Sequence, residues 1–113
     1  MLIAKTNGLE LITALRPIVE RLKQCSADLA DQVERAGTSI LLNIGEGSRR
    51  TGKDRVRFFR YAHGSAGEIE AALETANAWG YQIGDTRHVM KLLDLELRLL
   101  WGLQRGPRAV RSS

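Results

Sequence analysis

The chain has 113 residues, a formal net charge of +4 and only 5% aromatic residues. That length holds one domain with a core of its own. The single Cys25 forms no internal disulfide, the opening MLIAKTNGLELI lacks the pattern of a secretory leader, and no apolar run approaches the ~20 residues of a membrane span. The composition therefore reads as a cytoplasmic protein without a membrane partner.

Apolar positions recur at helical spacing along most of the chain. A first helix is predicted from about Gly8 to Gln24, capped by Thr6 or Asn7, with Leu11, Ile12, Leu15, Val19 and Leu22 on its inner face. Pro17 lies within it and removes one backbone donor, so a kink or break is expected there. Ser26 or Asp28 caps a second helix to about Gly47, with inner stripe Leu29, Val33, Ala36, Ile40 and Ile44. After a loop at Ser48 to Gly52, a third helix runs from about Lys53 to Trp79 and buries Phe58, Phe59, Ala62, Ala66, Ile69, Leu73 and Ala76. A turn at Gly80 to Gly84 leads to Asp85, the predicted cap of a fourth helix from Thr86 to about Gln104. Short loops between four helices make the fold all-α, an antiparallel up-down four-helix bundle over residues 1–104, followed by a short basic, mobile tail at 105–113.

The stretch SILLNIGEGSRR (39–50) places glycines in a helical pattern at a cost of about 1 kcal/mol each. Gly37 and Gly47 fall on or beside the inner stripe, where small residues let two backbones approach. Gly64 and Gly67 on the third helix fit the same account, and Gly47 also suits a left-handed helix end. GEGSRRTGK lacks the spacing of a phosphate-binding loop and follows a helix rather than a strand.

Two features point outward. Leu42 lies about 200° around the helix from Ile40, so one core cannot bury both. Leucines also cover more than half the circumference of the fourth helix, with Trp101 beyond them. Leu41, Leu42, Leu97 and Trp101 are therefore candidate contacts with further copies of the chain. The charge is uneven as well. Arg49, Arg50, Lys53, Arg55, Arg57 and Arg60 face one acid, Asp54, between Ser48 and Arg60. Such clustering favours a polyanionic partner. Arg49 and Arg50 are expected to matter more than Lys53, because guanidinium binds phosphate bidentately.

Five polar residues read as structural: Asn43, Glu46, Ser65, Glu68 and Glu96. Glu96 sits in the apolar arc of the fourth helix and needs a basic or amide partner. Arg35 and Arg16 are the nearest by composition. Glu46 and Arg50 are spaced as an i,i+4 pair. No Glu-x-x-His occurs, and His63 and His88 lack metal-ligand spacing, so neither a metal nor another cofactor nor catalysis is expected.

Gln32, Arg35-Ala36, Ser39-Ile40, Asn43-Ile44, Glu46-Gly47 and Arg50, then Phe58-Phe59, Ala62, Gly64-Ser65 and Glu68, form a pattern ahead of the leucine-rich fourth helix. It resembles the small four-helix-bundle proteins encoded in intervening sequences of bacterial 23S rRNA genes, which are related to the accessory variability determinant of diversity-generating retroelements. The chain departs from that family at Leu41-Leu42, at NIGEG in place of NIAEG, and at Pro17. The resemblance implies a ring-like homopentamer with a basic surface. Through the retroelement relative, it also implies a nucleic-acid-binding partner of a reverse transcriptase or other protein. Together these readings predict a non-catalytic homo-oligomer that binds RNA or DNA through its basic zones. A protein-interaction scaffold without nucleic acid is the alternative. The few aromatics argue against base stacking, and so against sequence specificity.

Overall fold

The computed structural model describes residues 2–105. Four helices follow in order: α1 (Ile3–Cys25), α2 (Ala27–Ser48), α3 (Gly52–Trp79) and α4 (Arg87–Arg105). Each packs on its chain neighbours, and α4 closes back on α1. The connections are too short to cross the bundle, so adjacent helices run antiparallel. The body measures 51 × 22 × 21 Å. The expected tail lies outside the described residues, apart from Arg105, which ends α4.

Local chemistry explains where the helices begin and end. Ser26 closes α1 and caps α2, its Oγ accepting from the Leu29 amide at 3.1 Å. Gly80 ends α3 with φ of 78°, the left-handed geometry that glycine adopts without strain. Asp85 accepts from the Arg87 amide at 2.9 Å and pairs with the Arg87 side chain. That hydrogen bond from the side chain, followed by the one from the backbone, pulls the Asp85 carboxyl down to about 2.

Several sequence expectations change. The first helix starts at Ile3 rather than Gly8 and continues through Pro17. Thr13 and Pro17 are both exposed, so the carbonyl that loses its amide donor lies on the solvent side, where its loss costs least. Asn7 is consequently a buried residue inside α1, not a cap. Gly47 lies within α2, and the left-handed glycines are Gly52, Gly80 and Gly84.

The core is a single cluster of aliphatic side chains from all four helices, with Leu11, Leu22, Ile40, Ile69 and Leu93 fully enclosed. Phe59 is 0% exposed, and a Cβ on Gly47 would stand 2.8 Å from its Cε1. Gly47 is therefore the hollow that receives the Phe59 ring. Gly64 and Gly67 have no such role, since a Cβ at either would meet nothing within 4 Å. Phe58, expected in the core, is only half-buried.

Candidate nucleic-acid interface

Antiparallel packing brings the end of α2 and the start of α3 to one end of the bundle, together with the start of α1 and the end of α4. Arg49, Arg50, Lys53, Arg55, Arg57 and Arg60 all fall there, with Arg105 closing α4. Asp28, Asp31 and Glu34 at the start of α2 lie at the opposite end, with Glu70 and Glu74 late in α3 and Asp85 before α4. The charge is thus biased along the 51 Å axis, since Lys23, Arg35 and Arg87 pair with Glu34, Asp31 and Asp85 at the far end and partly offset its acids.

The six cations are not equivalent. Glu46 accepts from Arg49, and from Arg50 Nη2 at 2.8 Å. Arg50 Nη1 also donates to Asp54 Oδ2 at 3.0 Å, and Arg57 Nη2 donates to Asp54 Oδ1 at 2.5 Å. Two carboxylates therefore tie three arginines together. The hydrogen bonds to Asp54 and then Glu46 raise the Arg50 pKa above its ordinary value. The guanidinium carbons of Arg50 and Arg57 each lie 5.0 Å from the Phe58 ring centroid, a cation–π geometry that fixes their direction.

Arg55 does different work. Its Nη1 donates to the Gly47 carbonyl at 3.1 Å, and its guanidinium lies 4.8 Å from the Phe59 ring centroid. It thereby satisfies a carbonyl in the last turn of α2 and locks that turn onto α3. Lys53 and Arg60 are exposed and make no ion pair or hydrogen bond among the described residues. Six bases against Glu46 and Asp54 leave this end strongly positive.

The polar residues read as structural divide in the same way. Asn43 Nδ2 donates to the Ser39 carbonyl at 2.9 Å and to Ser39 Oγ at 3.0 Å. Ser65 Oγ donates to the same Ser39 hydroxyl at 2.9 Å, which ties α3 to α2. Glu46 is an anchor for arginines. Glu68, by contrast, is exposed. Glu96 is 0% exposed, and its partner is neither Arg35 nor Arg16. Arg35 points outward to Asp31, while Asn7 Nδ2 donates to Glu96 Oε1 at 2.9 Å and to the Leu92 carbonyl at 2.9 Å. Glu96 Oε2 is buried without a partner. Burial outweighs the Asn7 hydrogen bond and lifts the carboxyl to about 7.

Of the apolar residues expected to meet other copies, Leu42 is 65% and Trp101 54% exposed. The Trp101 ring lies 6.0 Å from His63. Leu41 and Leu97 are half-buried against the subunit's own core, so they offer less outward surface. Among the described residues no group of three or more His, Cys, Asp or Glu side chains is placed to hold a metal, and no helix is long and apolar enough to cross a membrane.

The sequence reading missed the aromatic half of this end. In RVRFFRY (55–61), Arg55 and Phe59 stand at the i,i+4 spacing at which helical side chains meet. Arg57 adjoins Phe58 and Arg50 precedes it by eight positions, contacts that this spacing does not indicate. The sequence pattern therefore signals only the Arg55–Phe59 contact.

The family model described as 23S rRNA-intervening sequence protein matches residues 3–100. No curated relative matches the chain.

Proposed function

Because the chain belongs to the 23S rRNA-intervening sequence protein family, we propose that it is a non-catalytic homo-oligomer that binds RNA in the cytoplasm through the basic end of its bundle. The observation that carries this reading is the concentration of positive charge at one end of the bundle. Cations of the α2–α3 link and the start of α3 crowd one end in excess of its acids, while the other end mixes its acids with Arg21, Lys23, Arg35, Arg87 and Lys91. A polyanion is drawn to the first end in preference to the second, so the field orients as well as binds.

Oligomerisation is supported by exposed apolar side chains that the subunit leaves uncovered: Leu42, Leu9, Ile3 and Trp101. A pentameric ring, the assembly implied by the family resemblance, repeats the basic end around one rim. Weak phosphate contacts then add through high effective concentration. Binding is sequence-tolerant, because phosphate contacts position a nucleic acid without reading it.

The pairing of Arg49, Arg50 and Arg57 with Glu46 and Asp54 favours a second reading, an oligomeric scaffold for proteins whose positive charge is largely internal. Retention of structured RNA at low salt, lost as salt rises, is the outcome that RNA binding requires. Failure to retain RNA or DNA at low salt selects the scaffold.

A further inference from the structure

Tyr61 stands on α3 beside the basic end and is 49% exposed. It meets Phe58 edge-on, with ring centroids 5.9 Å apart and planes at 88°. A T-shaped contact leaves at least one face of the tyrosine ring free. Phe58 is already held by Arg50 and Arg57, so Tyr61 rests on a braced support.

Lys53, Arg57, Arg60 and Gly64 recur at the spacing of one helical stripe, with Tyr61 on its flank. Of the six cations between residues 49 and 60, Lys53 and Arg60 are the two that make no ion pair or hydrogen bond among the described residues. Gly64 is exposed, and a Cβ there would meet nothing within 4 Å, so the backbone one turn beyond Tyr61 is bare and open to approach. From 53 to 64 the stripe runs about 16 Å at 1.5 Å per residue, a length for two or three nucleotides. It stops at the exposed Glu68.

We infer that this stripe binds unpaired nucleotides of RNA, with Tyr61 stacking on one base and Lys53 and Arg60 holding the flanking phosphates. The inference rests on the RNA-binding reading above and specifies what that RNA must offer. Paired bases present no free face to an exposed tyrosine, whereas splayed or single-stranded bases do. One tyrosine per subunit suffices for stacking, so the low aromatic content is no obstacle to it.

The test compares wild type, Tyr61→Ala and Tyr61→Phe for binding to a short oligouridine and to an RNA duplex of equal length, at low salt. Tyr61→Ala should weaken oligouridine binding about tenfold while duplex binding and oligomer mass stay unchanged. Tyr61→Phe should restore oligouridine binding. Oligouridine affinity of Tyr61→Ala within twofold of wild type overturns the inference but leaves RNA binding standing. Equal losses on both RNAs, or a lowered mass, also overturn it, since Tyr61 would then serve the fold or the subunit interface. Wild-type protein that binds neither RNA overturns the inference together with the reading beneath it.

Discussion

Asn7 Nδ2 stands 2.9 Å from Glu96 Oε1 and 2.9 Å from the Leu92 carbonyl, so one amide joins α1 to two successive turns of α4. The carboxylate it meets is fully buried, and the second oxygen has no donor. Gly8 explains how the group fits, because a Cβ there would lie 2.8 Å from Glu96 Oε2 and 3.2 Å from Leu41 Cδ2. The bundle closes over a carboxyl that is more comfortable neutral than charged.

This makes stability depend on pH in a defined direction. The folded-state value of about 7 lies above the ordinary 4.5, so the folded chain binds this proton more tightly than the unfolded chain. Its contribution is complete below the ordinary value, declines as pH rises, and is gone above about 7. The decline amounts to on the order of 3 kcal/mol. Urea melts of wild type at pH 5 and pH 8 should differ in that sense, and Glu96→Gln should flatten this part of the profile. A Glu96→Gln profile parallel to wild type would show that Glu96 is not the titrating group.

Gly47 predicts a steric effect. A methyl at this position meets the Phe59 ring at 2.8 Å, and Phe59 is enclosed on every side. Gly47→Ala should cost about 1–3 kcal/mol through overpacking, despite alanine's better helix propensity. Gly64→Ala meets nothing and should stabilise by up to about 1 kcal/mol. Thermal melts of the two variants should move in opposite directions.

Leu42 tests assembly. With 65% of its surface exposed on α2, it has no role in the subunit's own core. Light scattering should give the wild type a mass several times 12.6 kDa, and Leu42→Glu should lower that mass while helix content is retained. A wild-type monomer would leave the exposed leucine unexplained by self-association.

Helical periodicity, the Ser26 and Asp85 caps and the Gly80 turn were legible because each is a local rule. The stripe Val33, Ala36, Ile40 and Ile44 was legible for the same reason. Asn7 was misread, since an asparagine near a helix start satisfies the local rule for a cap. Only the packing of α1 on α4 reveals a buried donor. For Glu96 the sequence leaves a basic or an amide partner open, and the packing of α1 on α4 selects the Asn7 amide rather than Arg35 or Arg16. The basic cluster was visible as composition. Which cations it leaves unpaired was not, because Arg50 reaches both back to Glu46 and forward to Asp54. Pairing of this kind depends on side-chain direction across the end of α2. It moves the expected weight of RNA contact from Arg49 and Arg50 to Lys53 and Arg60.

If the basic end of the bundle binds RNA through phosphates, that binding must depend steeply on salt. Each phosphate contact contributes roughly −0.7 to the slope of log K against log salt on single strands, and about −0.9 on duplexes. Affinity for a structured RNA should be measured from low to physiological salt for wild type and for Lys53→Gln/Arg60→Gln. Wild type should lose affinity steeply. The double variant should bind more weakly with a slope shallower by about 1.4–1.8 per engaged subunit, at unchanged fold and oligomer mass. Equal affinity and equal slope for the two proteins would contradict the account.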